Sequence, residues 1–196
     1  MKLQTSTANE DIFSFYQPAG NFFALSINNS SDGEHPDVRL TLFDSAGKQL
    51  TPTPVKMPES VGWTFNDYLV SGNKIYGLIR GDGAIGYIVA IDVTNPVKPQ
   101  YSGLADMYQA FADDSVFDAV LMNGYIYLYS TGTVNDKYFD LLRKIKADAF
   151  AGPDIVRVSQ AVLPEFAEGS WVVAMLTGNN VLYVVTSSNG ILVYKP

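Results

Sequence analysis

His35 is the single histidine of the chain and the first residue to test for chemistry. It sits in Ser31-Asp32-Gly33-Glu34-His35-Pro36-Asp37, where Asp32, Glu34 or Asp37 would orient it as a general base or join it on a metal. Nucleophilic catalysis would also need a Ser or Thr held against this one imidazole, and no G-x-S-x-G elbow is present. The same acidic, Gly- and Pro-bearing stretch reads as an exposed turn. Asp32, Glu34 and His35, with Asp136 from a second loop, are therefore expected as loop contacts to a partner, and no catalytic residue is assigned. Paired carboxylates for glycoside hydrolysis would come from Asp113, Asp114 and Asp118, or from Glu165 and Glu168. Gly81, Gly83 and Gly86 match G-x-G-x-x-G in spacing. They lie in a β-rich hairpin, where the helix N-terminus that binds phosphate is missing.

Composition narrows the classes. The net charge is −7, so no basic surface is available to displace counterions from nucleic acid. The short run Arg143, Lys144, Lys146 reads as a solvated strand face. Absence of cysteine removes disulfides, thiolate catalysis and Cys-ligated metals together. Met1 to Glu10 is polar, so no signal peptide is read, and no apolar run approaches the roughly 18 residues of a membrane span. Twelve Tyr and 11 Phe in 196 residues favour pleated surfaces.

The elements that must position these residues come from an internal repeat. Tyr68–Tyr76 reads YLVSGNKIY, Val120–Tyr127 reads VLMNGYIY, Met175–Tyr183 reads MLTGNNVLY, and Phe15–Phe23 is a weaker copy, FYQPAGNFF. Each places a Gly/Asn turn between two apolar stretches, a hairpin signal. Their final aromatics, Phe23, Tyr76, Tyr127 and Tyr183, are spaced 53, 51 and 56 residues. A period of about 50 fits one four-stranded propeller blade. First strands are expected at 12–16, 63–70, 116–122 and 171–176, third strands at 38–43, 87–91, 139–145 and 191–194, and outer strands at 49–56, 98–104 and 155–163. Polar loops at 28–37, 80–86, 131–137 and 187–190 join second strands to third.

The expected fold is thus all-β, a single β-propeller domain with blades near 8–58, 59–105, 106–164 and 165–196. Lys2–Thr7 resembles the outer-strand stretch Lys48–Thr53, and Met1–Thr7 is expected to complete the last blade and close the ring. The 136–152 stretch also fits a helix, with Phe139, Leu142, Ile145 and Ala149 on one face and Asp136 as cap. The repeat register favours a strand there. A short helical turn is expected within 104–113.

An acidic residue precedes each first strand: Glu10 or Asp11, Glu59, Asp114 and Glu168. In a propeller these positions ring one mouth of the channel. Four carboxylates there would attract calcium, sodium, or a Lys or Arg of a partner. No other cofactor is expected. Phe13, Trp63, Phe117 and Trp171 begin the first strands and are expected in the core, while Tyr125, Tyr127 and Tyr129 alternate on one strand face.

Tyr87-Ile88-Val89-Ala90-Ile91-Asp92-Val93-Thr94-Asn95-Pro96-Val97-Lys98-Pro99 resembles the LVIVD-type propeller repeat, in which a strand ending Ile-Asp-Val runs into Ser/Thr-Asn-Pro. Asn-Pro takes the chain out of the ladder, and Pro99 delays re-pairing. Thr41-Leu42-Phe43-Asp44 keeps the apolar-Asp step without proline. The resemblance implies the fold and a binding role on surface or exported proteins, without an activity. The overall size is similar to hemopexin-type four-bladed domains. The expected function is a non-catalytic interaction or structural module, meeting a protein partner or further copies of itself, as in a phage virion or tail or at a cell surface. The alternatives are a carbohydrate-binding surface module, marked by a shallow cleft with an exposed aromatic beside Asp or Asn, and a small hydrolase using His35 and carboxylates.

Overall fold

The computed structural model describes residues 10–16, 22–28, 37–44, 46–52, 55–56, 64–81, 83–111, 114–148, 155, 157–166 and 168–195; of 10–16, 22–28, 37–39, 55–56, 64–66 and 81 it gives the backbone path. The chain is all-β, and its described residues form four antiparallel sheets that each follow the order of the sequence. The first joins β1 (Glu10–Tyr16), β2 (Phe22–Asn28), β3 (Asp37–Phe43) and β4 (Val55–Lys56). The second joins β5 (Thr64–Ser71), β6 (Lys74–Gly81), β7 (Ala84–Asp92) and β8 (Gln100–Asp106). After the single turn α1 (Met107–Ala110), the third joins β9 (Ser115–Met122), β10 (Tyr125–Val134), β11 (Lys137–Lys146) and β12 (Arg157–Val162). The fourth holds β13 (Val172–Gly178), β14 (Val181–Thr186) and β15 (Ile191–Tyr194). Two compact units result, Met1–Gly81 with Val89–Ser102 and Asp82–Ile88 with Gly103–Pro196.

Turn chemistry explains the meanders. A two-residue hairpin turn that matches strand twist needs positive φ, which Gly, Asn and Asp tolerate. Asn123-Gly124, Asn135-Asp136 and Asn179-Asn180 all take φ between 51° and 76°. Asn135-Asp136 decides the ambiguous stretch. The pair closes a hairpin between Val134 and Lys137, so β11 is a strand and Asp136 caps no helix. The long loop expected at 131–137 is reduced to these two residues, because β10 and β11 each run to ten residues.

The repeat is built into the backbone. Every first strand carries a β-bulge, leaving Phe13, Asn66, Phe117 and Val173 as the extra residue. Each bulge lies ten positions before the aromatic that marks its unit, Phe23, Tyr76, Tyr127 or Tyr183. A bulge bends and twists its strand at a fixed point, so the four units share one backbone device.

The strand-three exits also recur. Asp92 Oδ1 accepts from Thr94 N–H at 2.8 Å, and Asn95 Oδ1 accepts from Val97 N–H at 3.2 Å. These bonds hold the Asp-Val-Thr-Asn-Pro turn, and the Thr94 hydroxyl, then the Thr94 N–H, keep the Asp92 carboxyl below the usual range. Asp44 serves the first sheet likewise, its Oδ1 accepting from Ala46 and Lys48 N–H at 2.9 Å. Among the described residues, the outer strand expected at 49–56 is seen as a Phe43–Gln49 bridge and β4.

Core burial is uneven. Ile75–Ile79 of β6 and Ile126–Ser130 of β10 are buried without interruption, so both faces of those strands are covered. β14 alternates between buried and half-buried, the pattern of a sheet covered on one face.

Candidate functional site

The third and fourth sheets meet through one cluster. Tyr127, Tyr129 and Leu142 from sheet three pack with Met175, Leu182 and Val184 from sheet four, sealed by Leu163. The alternating tyrosines of β10 therefore reach the neighbouring sheet. Asp118, one residue past its bulge, staples the two sheets. Its Oδ1 accepts from Ala119 N–H at 2.8 Å and its Oδ2 from Met175 N–H at 3.0 Å. Asp67 holds the equivalent place in sheet two, accepting from Tyr68 N–H at 2.8 Å.

On the opposite face of sheet three lies Asp114, expected in an acidic ring at a channel mouth. It forms an ion pair with Arg143 and also accepts from Thr133 N–H at 3.3 Å. Arg143 is not on a solvated face: it is 5% exposed, with its guanidinium 4.4 Å from the Phe111 ring centre. Its Nε donates to Gln160 Oε1 at 3.2 Å, and its Nη1 has no partner among the described residues. Arg157 approaches the same ring at 4.8 Å. Asp114 is thus the counter-ion of a buried guanidinium. Lys144 points to the other face, 4.1 Å from the Tyr125 ring centre, and only Lys146 of the basic run is exposed.

The other expected site residues fall out as follows. Glu168 is exposed in the turn before β13. Glu10 and Asp11 lie within β1 rather than before it, with their backbone alone described. Asp32, Glu34, His35, Glu59 and Asp113 lie outside the described residues. Asp136 is exposed at the tip of the β10–β11 hairpin. Two aromatics expected in the core are outside it: Trp171 is 60% exposed, and Phe117, turned by its bulge, is 37% exposed. Trp63 and the Phe13 side chain lie outside the described residues. No group of three potential metal ligands occurs among the described residues, and no helix there is long and apolar enough to cross a membrane.

Sequence reasoning missed a cleft of about 500 Å³ at the outer end of the β10–β11 hairpin. One wall is Tyr138 and Asp140 of β11; the other is Leu163, Glu165 and Phe166 of the β12–β13 connection. Register puts Tyr129, Thr131, Tyr138 and Asp140 on one face of the hairpin. Two diagonal bonds fix that face: Tyr129 OH donates to Asp140 Oδ1 at 2.7 Å, and Tyr138 OH donates to Thr131 Oγ1 at 2.6 Å. Burial, then the bond to Asp140, pushes the Tyr129 phenol well above its usual range. Tyr129 is thus a permanent donor that aims the Asp140 carboxylate. Tyr138 remains 69% exposed. The missed signal was the two-residue spacing of Tyr138 and Asp140, which puts them on one face once β11 is a strand.

No family model matches the chain, and no curated protein matches it. Among solved structures, the chain is similar to the crystal structure of the computationally designed Ika4 protein. The TM-score is 0.51 at 9% identity, covering 98% of this chain and 96% of that one. The C-terminal domain of gp131 from bacteriophage phiKZ gives a TM-score of 0.36 at 10% identity, covering 97% of this chain and 57% of that one. The first likeness concerns the fold alone, and the second is too low to carry an argument.

Proposed function

We propose that the chain is a non-catalytic interaction module: a four-bladed β-propeller serving as a subunit of a larger assembly such as a phage virion or tail; Met1–Thr7, expected to complete the last blade, lie outside the described residues. Four consecutive antiparallel meanders with a bulge at one fixed offset support the architecture. Structural engagement of Asp114 and Asp118 supports a role without catalysis.

The observation that carries the functional reading is the second face of sheet four. Leu176, Tyr183 and Val193 share a face with Ala174, Val185 and Ile191, opposite the Met175–Val184 core. Leu176, Ile191 and Val193 are 56%, 60% and 57% exposed. A contiguous apolar face of this kind marks a protein contact. The outer edge of β15 has no pairing strand among the described residues, and an open edge recruits one.

Light scattering on a sizing column, with a hydrophobic dye on the same sample, tests the reading. A mass above 21.4 kDa supports assembly through this face. A monomer that binds dye also supports it, since the face then awaits a different partner. A monomer that binds no dye overturns it, because the face is then covered within the chain.

A further inference from the structure

We infer that the cleft between β11 and the β12–β13 connection binds a neutral, hydroxyl-rich oligosaccharide. The inference is independent of the assembly reading, because the cleft and the apolar face of sheet four are different surfaces.

Three properties point to sugar. The cleft volume, about 500 Å³, lies in the range of small-molecule sites, roughly 300–1,000 Å³. Tyr138 offers an exposed ring pinned at its hydroxyl by Thr131. The C–H face of a pyranose packs against such a ring at low entropic cost, because the ring is already held. Asp140 and Glu165, from opposite walls, supply carboxylate acceptors for sugar hydroxyls. One oxygen of Asp140 is occupied by Tyr129 OH, which fixes the carboxylate plane and leaves the other oxygen for a ligand.

Charge selects among saccharides. Asp140 and Glu165 outnumber the single Lys137 on the cleft, and the chain carries a net −7. Sulfated or uronic sugars are therefore repelled, whereas neutral hydroxyls are accepted.

The test is calorimetric titration of the full chain with neutral hexasaccharides of glucose, mannose and N-acetylglucosamine, and with hexagalacturonate as the acidic counterpart. The expected result is millimolar to micromolar binding of at least one neutral hexasaccharide and none of hexagalacturonate. Tyr138→Ala should weaken binding at least tenfold, and Asp140→Asn at least fivefold. Thr131→Val, which releases the ring without removing it, should weaken binding less than Tyr138→Ala. Absence of binding by all three neutral sugars overturns the inference. So does binding that survives Tyr138→Ala, or a preference for hexagalacturonate. Tyr138 is exposed, so its replacement leaves the core intact, and unchanged circular dichroism confirms that a loss of binding is local.

Discussion

Replacing Asp114 by Asn tests whether its charge serves a ligand or the fold. The structure places it against a guanidinium that is almost fully buried and has few other partners. Arg143 donates Nε to Gln160, leaves Nη1 unpaired among the described residues, and depends on Asp114 at Nη2. Removing one member of a buried ion pair typically costs about 3–5 kcal/mol, because the remaining charge stays desolvated. Asn keeps an acceptor of the same shape, and the Asp114 side chain is 15% exposed, so the expected loss is near the lower end, about 3 kcal/mol. Against a typical stability of roughly 5–15 kcal/mol this is a large fraction. With a urea m-value of about 2 kcal/mol/M, the unfolding midpoint should fall by about 1.5 M with m unchanged. Adding Arg143→Met removes the orphaned charge while keeping contact with Phe111, and should restore most of the loss. Exposed Glu168→Gln should shift the midpoint little. An Asp114→Asn variant as stable as the parent that has lost binding of calcium or sodium would refute the structural role and reinstate a carboxylate at the channel mouth.

Three further outcomes are expected. A Cβ on Gly132 would overlap the Asp114 carboxylate, so Gly132→Ala should cost about 2 kcal/mol in urea unfolding and add little to Asp114→Asn, since both break one pair. Tyr129→Phe should cost about 1 kcal/mol at pH 7. The folded phenol is held neutral above its ordinary range, so the parent's advantage is complete below about pH 10 and shrinks above it as unfolded tyrosine ionises, which urea melts at pH 7 and 10.5 would reveal. Asp92→Asn should cost about 0.5 kcal/mol at pH 7. Because the folded Asp92 carboxyl is depressed, that difference should fade as pH falls through about 3.9, measured by melts at pH 7 and 3.

The sheets were legible where local chemistry dictates them. Asn123-Gly124 and Asn179-Asn180 occupy backbone conformations that few residues tolerate, so the dipeptides themselves announce hairpins. Asn135-Asp136 carried the same message, obscured because Phe139, Leu142 and Ile145 also match helical spacing. That ambiguity hid both sites. A strand puts Arg143 and Lys144 on opposite faces, one buried and one over tyrosine rings, whereas the linear sequence shows a basic run. The same alternation puts Tyr138 beside Asp140. The Arg143–Asp114 pair spans 29 residues and two strands, and only the register of β9, β10 and β11 brings it together. Phe117 misled for a different reason: its aromatic character predicts burial, but the bulge makes it the extra residue of the ladder.

The four bulges also indicate where recognition is to be sought. Residues just after them are Ser14, Asp67, Asp118 and Ala174, so the backbone device persists while its side chains diverge. Side chains at this position are thus free to acquire local tasks, as Asp118 does in joining two sheets. Strand length departs from the repeat in one place. β2 and β3 have seven residues each, β6 and β7 eight and nine, β14 and β15 six and four, but β10 and β11 have ten. The core cluster takes Tyr127, Tyr129 and Leu142, and the hairpin then continues to Val134 and Lys137. The added length buries little, since Tyr138 at its end is largely exposed. It instead raises Tyr138 and Asp140 against the β12–β13 connection and so creates the cleft. Shortening this hairpin around its Asn135-Asp136 turn should therefore leave the core standing and remove the binding surface.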